Sequence, residues 1–455
     1  MTPRTSIRLA ALALALGCGG YESTVRPVRD SLERGDRAAA LKAVNAKLGV
    51  KSASETPAKF SDETALLLLE RGAILHSLGR YQESARDLQE AEKHLELLDL
   101  SKDTAGSIGK YLYSDTATVY RAPAYEKLLL STMNLLNYLC LGDLENARVE
   151  ARRLTVMQDY LKGAMPEGKA RFGLGSYLAG YTYEQSGRAD EALRYYDDAL
   201  QAEEYPSLRE PVARLARASF FRTPRVEKIL ASAPAVLPAP QGADVLVVMS
   251  SGLVPKKEPE RIPIGLAFAI AYDVTHPQYR MNEQQRRNAD IVIAKSLLKW
   301  INFPELKKQP RRIWPAGLEV DGESAPIEPA MNVATRARQA YDDIKPMLIV
   351  SAVTRMVARA IAGEVSGKVA KEASGSGLLG LVVGLATEGV LIAADRPDTR
   401  AWTSVPAEVY LARVRVPPGP HRVEAHYTGV WGPRPVRTEV KVPSGFKVLS
   451  FVETQ

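Results

Sequence analysis

Gly180-Tyr-Thr-Tyr183, followed by Gly187-Arg-Ala-Asp-Glu-Ala192-Leu-Arg-Tyr-Tyr196-Asp-Asp-Ala199, reads as two helices that cross closely around a glycine turn. Small residues stand where the helices would touch, and aromatic residues are spaced to fill the groove between them. A second copy runs Gly72-Ala-Ile-Leu75, then Gly79-Arg-Tyr81-Gln-Glu-Ser84-Ala-Arg-Asp-Leu88-Gln-Glu-Ala91, with Ser84 in a position that usually holds Ala. Tyr138, Gly142-Asp-Leu-Glu-Asn-Ala147 and Ala151 make a third, weaker copy. Gly35-Asp-Arg-Ala-Ala-Ala40 begins a fourth that lacks signals for its first helix.

This pattern resembles the tetratricopeptide repeat, whose period is about 34 residues. Hairpins of that kind cannot bury an apolar face alone, so they stack into a curved solenoid with a concave binding surface. The motif positions put Tyr177, Tyr181, Glu184 and Gln185 on the concave side, with His76 and Ser77 from the second copy. The expectation is an envelope protein or peptide partner held in that groove. The alternative is that these side chains pack against the chain's own second half.

All four tryptophans fall at or after residue 300, whereas residues 21 to 220 are rich in Ala, Leu, Glu and Arg. The two halves therefore differ in architecture. Thr223-Pro224 and Ala233-Pro-Ala-Val-Leu-Pro-Ala-Pro240 read as a semi-rigid connector, since repeated prolines cannot continue a helix. The expected fold class is α+β. It comprises a helical repeat domain over 18–222, a linker over 223–242 and a mixed domain over 243–455.

Before the repeats, Arg4 and Arg8 precede Leu9-Ala-Ala-Leu-Ala-Leu-Ala-Leu-Gly-Cys18, with no acidic residue among them. A positive stretch before a short apolar run has the form of a secretory signal, over 1–17, and is too brief to span a bilayer. With Ala15, Leu16 and Gly17 before the cysteine, the segment resembles the lipobox of bacterial lipoproteins. That resemblance implies acylation of Cys18, a permanent membrane anchor and an extracytoplasmic body. Gly19 and Gly20 follow, without the Asp associated with inner-membrane retention, which favours the periplasmic face of the outer membrane. A plain signal peptide with an incidental cysteine is the alternative.

The chain has 455 residues, 45% apolar and 25% charged, an ordinary globular composition. Its net charge of +7 is dispersed, without a dense Lys/Arg run, so nucleic acid is not an expected partner. With Cys18 used for lipid, Cys140 alone remains, and no intramolecular disulfide can form. Cys140 sits in an apolar helical run and reads as a buried, inert thiol.

In the second half, Ala243-Asp-Val-Leu-Val-Val-Met249 is a β-branched run of strand length. Residues 286 to 300 and 333 to 372 read as helices, the latter broken near Pro346. The segments Glu408–Val416, His421–Tyr427, Val436–Val442 and Phe446–Val452 alternate at period two between Pro/Gly turns. They are expected to form a small antiparallel β-sheet or half-sandwich, a β-meander over 406–453. The glycine-rich run 375–394 is long enough to cross a membrane, but Glu388 and the lack of an aromatic belt favour a close-packed core helix.

Glu388, Asp395, Asp398, Arg400 and Trp402 form the densest polar cluster. Together with Gly252-Leu-Val-Pro-Lys256-Lys257, His276-Pro-Gln-Tyr279 and Ala147-Arg-Val-Glu150-Ala-Arg152-Arg153, this cluster resembles a functionally uncharacterised family of bacterial lipoproteins with a tetratricopeptide-like N-terminal half. Members are often encoded beside lipoproteins that activate penicillin-binding proteins. The resemblance implies an envelope scaffold in outer-membrane or peptidoglycan assembly, and carries over no catalytic residue.

A rival reading makes Glu388, Asp395 and Asp398 beside Trp402 the acid and base of a carbohydrate-active enzyme, or a peptidoglycan-binding site, since glycan cleavage needs two facing carboxylates. The alternative is a structural junction in which Arg400 pairs with Asp395 or Asp398. The five histidines show no metal-ligand spacing, and no nucleophile-and-base or cofactor motif stands out, so no enzyme activity, metal or cofactor is expected.

Overall fold

Glycine turns reverse the chain between helices in the first half. At Gly187 the backbone takes a left-handed φ of 72°, and Gly79 repeats this at 74°, a conformation that costs a side-chain-bearing residue about 1 kcal/mol or more. Gly35 and Gly142 turn the same way. A computed structural model of the chain describes residues 20–95, 120, 122–164, 171–275, 300–362 and 397–455. Helices α1 (Tyr21–Glu33) and α2 (Arg37–Leu48), α3 (Asp62–Ser77) and α4 (Tyr81–His94), and α5 (Ala124–Leu141) and α6 (Leu144–Ala164) pack as successive pairs. They are followed by α7 (Gly173–Gln185) with α8 (Ala189–Ala202), and α9 (Arg209–Arg217) with α10 (Pro224–Ser232).

Close helix crossing depends on the small residues. A Cβ on Gly180 would run into the Tyr196 ring, and one on Gly72 would stand 2.7 Å from Leu88 Cδ2. Ser84, in its unusual place, donates its hydroxyl to the Gly72 carbonyl at 2.7 Å and so ties α4 to α3. The turn glycines at 35, 79, 142 and 187 are spaced more widely than 34 residues, so the pairs do not follow that period.

Two expectations change here. The first helix of the leading pair exists as α1, which carries Pro27 inside it. The connector is not wholly extended: Thr223 caps the N–H of Val226 at 3.3 Å, Pro224 takes the first helical position, and α10 forms.

The second half contains β1 (Ala243–Ser251), β2 (Lys256–Pro263), α11 (Ile264–Thr275), β3 (Trp300–Lys307), β4 (Ile313–Val320), β5 (Glu323–Ala325) and β6 (Glu328–Asn332). Then come α12 (Val333–Ala362), β7 (Glu408–Val416), β8 (Gly419–Gly429), β9 (Gly432–Val442) and β10 (Phe446–Glu453). The chain is thus a mixed α+β protein, with a helical half followed by strands in small sheets. One sheet has the order β10-β1-β7-β6, with β1 parallel to β10 and antiparallel to β7. Another has the order β5-β4-β8-β9, and β2 pairs with β3.

The four C-terminal strands therefore do not make one meander. β7 and β10 flank β1, while β8 and β9 join β4. Alternation at period two shows which face of a strand is buried, not which strand lies beside it. Trp300 begins a strand rather than ending a helix, and α12 runs through Pro346 without a break. The carbonyl that Pro346 leaves without a donor belongs to Asp342, which is exposed and can reach water.

Every residue of β1 is buried, because the first sheet lies between two layers. Leu246, Val248, Leu411 and Val448 pack on the helices, and Val245, Val247, Met249 and Ala412 pack on Leu318, Val423, Ala425 and Tyr427 of the other sheet. The helical half and the first sheet thus share one core across residues 223–242. A third cluster joins α11, β2, β3 and α12 through Phe268, Ile301, Phe303 and Val353.

Candidate functional site: the seam between helices and sheet

The inner side of the helices, expected to form an open groove, is filled by the first sheet. Tyr177 and Tyr181 are both 0% exposed. Tyr181 donates its hydroxyl to the Asp244 carbonyl on β1 at 3.1 Å, and Gln185 donates to the Asp244 carboxylate at 3.2 Å. Glu184 sits 2.8 Å from Arg413 of β7. The Arg413 guanidinium also pairs with Asp244 and lies 5.0 Å from the Tyr181 ring centre. Tyr177 is hydrogen-bonded to Ser207 at 2.8 Å, and Ser207 in turn donates its N–H to Glu328 on β6 at 3.1 Å.

His76 bridges Asn137 at 2.7 Å and Ser450 of β10 at 2.9 Å, and burial pushes its pKa down. Ser77 turns back onto its own helix, donating to the Ile74 carbonyl. Tyr181, Glu184, Gln185 and His76 thus face the first sheet. What covers that face is the chain's own second half, because Asp244 and Arg413 supply the charges that Glu184 and Gln185 require.

A second seam lies along the extended stretch 397–406, which runs between the helices and the sheets. Glu70, fully buried on α3, accepts from Thr403 N (2.8 Å), Thr403 Oγ1 (3.0 Å) and Ser404 N (2.7 Å). Glu126 on α5 accepts from Trp402 N at 3.2 Å, from Tyr120 at 2.6 Å and from Tyr125 at 3.0 Å. Arg29 of α1 donates to the carbonyls of Thr403 at 2.9 Å and Val254 at 2.7 Å. Burial raises the Glu70 and Glu126 carboxyls above the usual carboxylate range, against the pull of these donors. Burial likewise holds the Tyr21, Tyr120 and Tyr125 hydroxyls well above their ordinary value.

Within the acidic-arginine cluster, Arg400 makes a forked pair with Asp398, with two N–H donors at 2.8 Å each. Its guanidinium stands 5.7 Å from the Tyr120 ring centre, and Trp402 is 0% exposed. Asp398 is therefore committed to an ion pair, and Trp402 has no open face for a sugar. Glu388 and Asp395, like Cys18 and the run 375–394, lie outside the described residues.

Sequence reasoning missed Glu70, Glu126, Arg29, Asp244 and Arg413. The signal was a charge within or at the border of an apolar run, as in Ala243-Asp-Val-Leu and Leu66-Leu-Leu-Leu-Glu70. Such a charge must find partners or be neutralised.

Among the described residues, no group of His, Cys, Asp and Glu could hold a metal ion, and no helix is long and apolar enough to cross a membrane. A cavity of about 40 Å³ remains between α3, α5 and the first sheet, lined mainly by apolar side chains such as Ile74, Met133 and Val409. No protein-family model matches the chain, and no curated protein matches it in sequence.

Proposed function

We propose that the chain is a lipid-anchored scaffold of the bacterial cell envelope, held by acylated Cys18 on the periplasmic face of the outer membrane. Its helices form a tetratricopeptide-like row that presents its outer surface to a protein partner. The observation that carries this reading is the closed inner face: Tyr181, Glu184, Gln185 and His76 make their polar contacts with β1, β7 and β10. A partner then meets the outside of the helices, where α6 exposes Val149, Arg152 and Val156 at helical spacing. A role in outer-membrane or peptidoglycan assembly accords with the anchor and with the resemblance to envelope lipoproteins.

The test is site-specific photo-crosslinking in intact envelopes, with the crosslinker at Val156 or at Tyr181. The reading expects a protein adduct from Val156 and none from Tyr181. An adduct from Tyr181 alone would return the partner to the inner face. Cys18→Ala should release the protein from membranes; a variant that still sediments with them removes the anchor.

A further inference from the structure

We propose that the start of α1, Gly20–Ser23 with exposed Arg26 beside it, lies against the lipid bilayer, so that the body stands on the membrane in one fixed orientation. This inference rests on the reading of Cys18 as the acylated residue. Only Gly19 and Gly20 separate Cys18 from the start of α1 at Tyr21. At no more than about 3.6 Å per residue, that gap spans roughly 11 Å at most.

Nor does α1 act as a loose arm. Tyr21, Val25, Val28 and Leu32 are built into the core, and Arg29 is bonded to Thr403 and Val254. Gly20 is itself fixed: its carbonyl accepts the N–H and the hydroxyl of Ser23 at 3.0 and 2.8 Å. The N–H of Glu22 is donated to Thr399 Oγ1 at 3.2 Å, and a Cβ on Gly20 would stand 2.9 Å from that oxygen. The freedom of the anchor therefore ends at Gly20.

One further observation marks the same end of α1. On the outer side of α1, Arg26 is exposed one turn from Glu22, where a cation favours anionic headgroups. Phe220 provides a second reference point, in the last helix pairs rather than the first. It is 98% exposed and follows Ser219, which bonds Asp190 at the start of α8, on the turn edge of the last helix pairs.

The experiment places a fluorescent thiol label at Arg26→Cys or at Phe220→Cys in the full lipidated chain, on vesicles containing headgroup-quencher lipid. Cys140 stays unlabelled, because burial pushes its thiol up to about 12. The label at position 26 should be quenched severalfold more than that at 220. A long Gly/Ser insert between Gly19 and Gly20 should erase the difference while the protein still sediments. Sedimenting protein with equal quenching at both sites overturns the orientation and leaves the anchor standing. A chain that does not sediment overturns both.

Discussion

Glu70 and Thr403, far apart in sequence, are joined twice: one carboxylate oxygen accepts both the N–H and the hydroxyl of Thr403, at 2.8 and 3.0 Å. The other oxygen accepts the Ser404 N–H at 2.7 Å. Glu70→Ala leaves these buried donors without a partner and should lower stability by about 2 to 4 kcal/mol. Glu70→Gln keeps one acceptor and sets an amide against another N–H, so it should cost about half as much. Urea unfolding midpoints measure both; a wild-type midpoint for Glu70→Ala would deny the clasp.

Tyr177 and Tyr181 should now behave as core residues. Each change to Ala should cost about 3 to 5 kcal/mol, whereas Tyr181→Phe, which loses only the bond to the Asp244 carbonyl, should cost about 1 kcal/mol. Ala192→Trp, at a fully buried helix crossing, should also destabilise. Thermal melts of the four variants decide this, and a Tyr177/Tyr181 double variant that melts like wild type would reopen the groove.

Gly180→Ala sets two effects against each other. Ala favours a helix interior by about 1 kcal/mol over Gly. The new methyl meets the Tyr196 ring, however, and that ring is tied through its hydroxyl to Glu184 and Arg413 and cannot retreat. The clash should win, with a net loss of about 1 to 3 kcal/mol. Denaturant titration showing a gain instead would mean that the ring has room to move.

Glu150 gives the stability a slope with pH. Burial pushes its carboxyl up to about 7, so the folded state holds a proton there that the unfolded chain releases near the ordinary value of 4.5. Its contribution is complete below pH 4.5 and is lost as the pH rises towards 7. Glu150→Gln should remove that slope and raise stability at pH 8 by roughly 2 kcal/mol. Unfolding titrations at pH 5 and pH 8 with an unchanged difference between them would refute the assignment.

Much of the helical half was legible because its turns require glycine and its crossings require small residues. Ser84 was noticed as a departure, but its bond to Gly72 could not be seen without the partner helix. β2 and β4 escaped because Pro259, Pro263 and Pro315 interrupt their strand patterns. The cluster at 398–402 was visible as charge and aromaticity. Its role as a seam depends on Glu70 and Glu126, which are distant in sequence and were hidden inside apolar helices.

The parallel pairing of β1 with β10 also bears on the order of assembly. During synthesis the helices and β1 emerge long before residues 446–453, so until those arrive β1 has an open edge and the wall behind Tyr181 and His76 is incomplete. An unpaired apolar edge of that kind invites aggregation and proteolysis. The last strand thus acts as a keystone, and a chain shortened by its final ten residues should be lost to quality control while nearly all of its helices are already made.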